Sequence, residues 1–208
     1  WDDYDKSLIS KGGGIFPRSL KSIPLTPEIQ AIIGTTDKAL EPAALISAIL
    51  RAPVDLLWFG GIGTYVRSNG ETEAQAGDKA NDAVRVAGAE IRALVVGEGA
   101  NLGVTQLGRV EYALQGGRIN TDAIDNSAGV NSSDLEVNIK IALGALTRTG
   151  QLTTQVRNEF LASMTDEVAA LCLKNNYLQT LALSVEEARG LAAFPEHVAL
   201  IEALEASG

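Results

Sequence analysis

The chain has 208 residues and carries 26 acidic against 17 basic side chains, a formal charge of −9, and it is long enough to bury a sizeable core. No Lys/Arg cluster forms a stripe that could follow a phosphate backbone, which argues against nucleic-acid partners, and the apolar runs at residues 43–50 and 54–59 are far shorter than the ~20 residues that cross a bilayer. Cys172 and His197 are the only residues of their kinds, which excludes an internal disulfide and metal sites built on cysteine clusters or histidine pairs.

The N-terminus shows no charged-then-apolar export signal, so a soluble, cytoplasmic protein without membrane partners is expected. The first residue is Trp1 and the single methionine is Met164, which suggests a piece of a longer chain. Residues 10–26, with Gly12–Gly14 and two prolines, read as loop. Thr26-Pro27-Glu28 supplies an N-cap, a first-turn proline and an early acid for a short helix to Ile33. Glu41-Pro42 repeats the pattern before residues 43–50.

From residue 53 to 150 apolar runs alternate with amphipathic stretches, the pattern of βαβ units and a parallel sheet. Residues 54–59 (VDLLWF) form the first expected strand and GGIGT its loop. A helix is expected over residues 74–86, a second strand over 92–96 ending in GEGANLG, and a helix over 106–114 stopped by Gly116 and Gly117. Residues 118–124 make a third strand candidate, followed by a helix over 134–146. Val156, Phe160, Met164, Val168 and Cys172 step by four along one helix face, which makes Cys172 a core thiol. Ser184-Val185-Glu186-Glu187 reads as a capping box opening a last helix. Three strand ends would thus present three Gly- or Asn-rich loops at one sheet edge, where ligands bind in open α/β sheets.

Singly, the loop motifs are weak. GGIGT and the GGG at Gly12–Gly14 suit any tight turn. Asn101 in EGAN can bond its own backbone, and Ser133-Asp134-Leu135-Glu136 is a capping box that gives Ser133 a structural task.

Taken in order, the strand–GG, strand–EGAN and strand–DNSAGVNSSDLE junctions resemble the last three βα junctions of glutamate dehydrogenases. The stretches LISKGGGIFPRS, APVDLLWFGGIGTYV, VVGEGANLGVTQLGR and GGRINTDAIDNSAGVNSSDLEVNIK resemble the large bacterial NAD-dependent branch of that family. The resemblance spans residues 8–141 and, less specifically, the tail. It implies an α/β fold: an incomplete Rossmann-like parallel sheet flanked by helices, with a C-terminal helical extension. Residues 1–52 would enter the domain, 53–150 form the C-terminal half of the NAD-binding domain, and 151–208 the extension.

The resemblance also implies roles. Gly60, Gly61 and Ile62 match the loop beside the NAD ribose and pyrophosphate, where a missing Cβ lets backbone approach a bulky ligand. Asn101 and Asn126 match residues near the nicotinamide, and an amide offers both donor and acceptor. Ser133 matches the serine that bonds the distal carboxylate of glutamate, helped by its expected place at a helix N-terminus. Gly129 keeps one glycine of the family's usual pair, while Ala128 replaces the other, so close backbone approach is less secured there.

The lysine and aspartate that perform acid–base work in the family lie in its upstream substrate domain, and no segment here resembles those motifs. The Gly-rich phosphate turn that opens a dinucleotide fold is also missing. The expectation is therefore a cofactor-binding portion of an enzyme that oxidises L-glutamate to 2-oxoglutarate and ammonium, inactive alone and partnered by the upstream domain in a homo-oligomer. A related amino-acid dehydrogenase and a structural or regulatory module are the competing readings; Ser133 favours glutamate over apolar amino acids.

Overall fold

A computed structural model describes residues 4–208. The chain divides into two compact units, the first ending at Asp125 and the second running from Asn126 to Gly208. The turn at Gly150, where the sheet domain was expected to end, lies inside the second unit.

The first unit opens with strand β1 (Ile23–Pro24), helix α1 (Pro27–Ile33), strand β2 (Ala39–Leu40) and helix α2 (Pro42–Leu50). Thr26 caps α1 as expected: its side chain accepts from the Ile29 N–H, Pro27 fills the first turn, and Gly34 ends the helix at φ 71°. β1 and β2 pair antiparallel, and Ile23, Leu25, Ile33 and Leu45 bury a small core between them and the helices. Glu41 precedes α2 without a side-chain cap.

Next come β3 (Leu56–Phe59), β4 (Val66–Arg67), the single-turn helix α3 (Glu73–Ala76), β5 (Val86–Ala87), β6 (Val95–Glu98), α4 (Gln106–Leu114), β7 (Arg118–Ile119) and the short α5 (Asp122–Asp125). The three expected strands form one sheet in the order β3-β6-β7. Both pairings are parallel, with Leu56 opposite Val95, Phe59 opposite Glu98 and Val95 opposite Arg118. The α/β expectation is met: the sheet is parallel and helices accompany it. Strand alternation sorts its faces, with Phe59, Val96 and Glu98 buried and Leu56, Trp58 and Val95 exposed. The main core gathers Leu50, Phe59, Val66, Val86, Ile91, Val96, Val104 and Tyr112.

Several expected elements differ. The helix over residues 74–86 is instead α3, a 3-10 turn at Lys79–Asn81 and strand β5. Gly77 halts α3 at φ 75°, and the Asp78 carboxylate then accepts from the Thr64 N–H and from Asn81, turning the chain into a β4-β5 parallel pair. The third strand stops at Ile119, because Asp122–Asp125 is already helical.

The second unit is all helix: α6 (Ser127–Arg148), α7 (Thr154–Ser163), α8 (Thr165–Arg189) and α9 (Phe194–Ser207). Here α6 begins at Ser127, not Asp134, so Ser133 and its Glu136 both sit well inside a continuous helix, beyond its first turn. Likewise Ser184 opens nothing; it lies in α8, where its hydroxyl donates to the Thr180 carbonyl at 3.0 Å. The four-residue step from Val156 to Cys172 crosses a break at Met164 between α7 and α8. Cys172 is buried, as expected of a core thiol. Among the described residues no helix is long and apolar enough to cross a membrane.

Candidate functional site

β3 and β6 are neighbours in the parallel sheet, so their C-terminal loops leave the same edge side by side. The β3 loop carries Gly60, Gly61 and Ile62, all exposed, and the β6 loop carries the exposed Asn101. The structure therefore brings these two predicted loops together. Asn126 and Ser133 belong to the second unit.

The glycines of the first loop fall into two kinds. Gly63 is demanded by the fold: its φ is 129°, and a Cβ there would lie 2.7 Å from Asn81 Nδ2. Gly61 has no positive φ, and a Cβ would meet no atom within 4 Å. Internal packing gives no reason for glycine at Gly61. Ile62, 90% exposed, offers its carbonyl to the Tyr65 hydroxyl at 3.2 Å.

Polar bonds cross-link the loops. The Thr64 hydroxyl donates to the Leu102 carbonyl at 2.7 Å, and the Leu102 N–H donates to Asp122 Oδ2 at 2.8 Å. Leu102, next to Asn101, has φ 56° and is the one non-glycine residue with positive φ among the described residues, a conformation that costs about 1–2 kcal/mol. From the β7 side Asp125 accepts from the Glu98 N–H at 3.0 Å and from Asn120 at 3.2 Å.

Beneath the edge lies a buried ion pair. Glu98 is fully buried; its Oε1 accepts from the Val104 N–H at 3.0 Å and its Oε2 pairs with Arg109 Nη2 at 2.5 Å. Burial pushes the Glu98 carboxyl above the usual carboxylate range, with Arg109 and the Val104 N–H pulling the other way. Arg109 Nε is buried without a hydrogen-bond partner.

In the second unit Asn126 precedes α6 with φ −95° and makes no side-chain cap bond. A Cβ at Gly129 would sit 2.5 Å from Asn126 Oδ1, so glycine at that position seats the Asn126 amide. Ser133 is exposed on α6. Its amide belongs to the interior of the helix, and the helix-terminus argument for an anion at Ser133 does not hold. In the first unit a cavity of about 400 Å³ is lined largely by apolar side chains of α1 and α2 such as Ile29, Ile32, Leu45 and Ile49, and by none of the predicted site residues.

Residues 1–186 match the family model described as the bacterial NAD-glutamate dehydrogenase catalytic domain. The chain belongs to that family. It is 57% identical over 208 residues to an NAD-specific glutamate dehydrogenase of Pseudomonas aeruginosa and 53% identical over 208 residues to that of Halomonas elongata. It is 50% identical over 212 aligned residues to that of Mycobacterium tuberculosis. These alignments cover 99–100% of the chain but only 13% of each relative.

Within this glutamate dehydrogenase domain, sequence reasoning passed over Glu98, Arg109, Thr64 and Asp122. The expected strand stops at residue 96 and leaves Glu98 in the loop; β6 instead runs from Val95 to Glu98, and alternation then puts Glu98 on the buried face with Val96. Nothing local marks Arg109 as its partner.

Proposed function

We propose that this chain supplies part of the cofactor site of an NAD-dependent glutamate dehydrogenase, in an incomplete Rossmann-like domain. The parent enzyme would convert L-glutamate, NAD⁺ and water to 2-oxoglutarate, ammonium, NADH and a proton. The carrying observation is the pair of adjacent parallel strand ends whose loops bear Gly60-Gly61-Ile62 and Asn101, in a chain of that family.

The residues suit the cofactor. Gly61 needs no glycine for φ or packing, and glycine there lets a ribose or ring approach the backbone. The Asn101 and Asn126 amides can bond ribose hydroxyls or a carboxamide. Bound NAD⁺ would accept the hydride from the glutamate α-carbon. Ser133 would bond the distal carboxylate through its hydroxyl alone, without a helix terminus behind it. Acid–base groups would come from the upstream domain of the same protein, so the isolated chain is inactive. The working form is a cytoplasmic homo-oligomer.

Isothermal titration of the chain with NAD⁺ tests the reading, with millimolar or tighter binding expected. Gly61→Val should weaken binding about tenfold or more, equivalent to about 1.4 kcal/mol, while the thermal melt stays unchanged. Absence of NAD⁺ binding would leave only a structural module, and equal binding by the variant would remove Gly61 from the cofactor contacts.

A further inference from the structure

We propose that Thr64 and Asp122 are positioning residues for Asn101, acting through the strained turn at Leu102. The inference rests on the reading of Asn101 as a cofactor contact.

Leu102 holds φ 56° although 62% of it is exposed. Burial of its side chain therefore does not explain the conformation, and leucine has no intrinsic preference for it. Its two backbone groups do explain it. The N–H is taken by Asp122 Oδ2 at 2.8 Å and the carbonyl by the Thr64 hydroxyl at 2.7 Å. Both partners are side chains from outside the β6 loop: Thr64 follows β3 and Asp122 follows β7.

Thr64 is itself immobilised. It is buried, its N–H donates to Asp78 at 2.8 Å and its carbonyl accepts from Arg85 Nε at 2.8 Å. Arg85, with a fully buried side chain, pairs in turn with Asp82 and Glu73. Asp122 is steadied by the Ala123 N–H on its other oxygen at 3.0 Å. A rigid group on each side thus fixes the backbone immediately after Asn101. The direction of the Asn101 amide follows from that backbone, so the loops after β3 and β7 set it from a distance.

The test uses the full-length enzyme. Asn101→Ala is expected to raise KM for NAD⁺ about tenfold, and Thr64→Val and Asp122→Ala to approach the same value, each with a smaller change in kcat. Thr64→Ser and Asp122→Asn keep the donor and the acceptor and should restore wild-type KM. In an Asn101→Ala background the clamp substitutions should add nothing further. Asp122 is only half-buried, so Asp122→Ala reports on the clamp whether or not Thr64→Val folds. A raised KM in Asn101→Ala with wild-type KM in Asp122→Ala would overturn the clamp and leave the cofactor reading standing. Wild-type KM in Asn101→Ala would overturn the cofactor reading, and this inference with it.

Discussion

Among the described residues the buried apolar side chains from Ile23 to Tyr112 all belong to the first unit, whereas the second contributes only Cys172 and Ala193. The first unit also contains the buried pair Glu98–Arg109 and the loop-to-loop bonds through Thr64, Leu102 and Asp122. The ion pairs of the second unit, Lys140–Glu136 and Arg189 with Glu186 and Glu196, are exposed. Each of its helices can satisfy its own backbone and be stable in part by itself, while a parallel sheet cannot exist without distant partners. Substitutions should therefore act through non-local packing in the first unit and through helix propensity in the second.

The largest effect is expected from Arg109→Ala. It leaves Glu98 buried without its counter-charge and should destabilise the first unit by about 3–5 kcal/mol, seen as a lower urea midpoint. Gly88→Ala comes next. A Cβ at Gly88 would collide with the Gly108 carbonyl oxygen, a backbone atom that cannot swing away, so a loss of about 1–3 kcal/mol is expected in the same measurement. Gly144→Ala in α6 reverses the sign. A Cβ there would meet only the end of Arg148 at 3.6 Å, and a helix interior gains about 0.5–1 kcal/mol on exchanging glycine for alanine; a loss of helicity by circular dichroism would break the contrast.

The last effect is graded with pH. The Glu98 carboxyl lies above its ordinary value of 4.5 when folded, so the folded chain holds this proton more tightly than the unfolded chain. Its contribution is fully present below that ordinary value and is lost as pH rises through the folded one. Urea midpoints taken from pH 4.5 upward should show the advantage of wild type over Glu98→Gln narrowing; a widening gap would contradict the burial of Glu98.

The same contrast explains what was legible in the sequence. Strands β3 and β6 announce themselves because apolar runs end at glycine-rich loops, and helix α4 because Gly116 and Gly117 stop it. The helix read over residues 74–86 ignored Gly77, whose positive φ ends α3. The capping patterns at Ser133 and Ser184 misled because nothing upstream of either interrupts a helix, and a serine inside one turns its hydroxyl back on the preceding turn, as Ser184 does on Thr180. At the candidate site the glycines and Asn101 were readable as loop residues. The groups that hold them were not: Glu98 and Arg109 are 11 positions apart, and Thr64 and Leu102 are 38 apart, so only the folding of strands, loops and helix α4 against one another brings them together.

Trp58 lies across the β6 glycines, where a Cβ at Gly97 or Gly99 would come within 2.6 Å of its indole. The ring therefore rests on the strand that leads to Asn101, half open to solvent at 53% exposure. Reduced nicotinamide absorbs where indole emits, so a reduced dinucleotide held as proposed by these loops would quench this tryptophan by energy transfer, an optical gauge of occupancy that needs no added label.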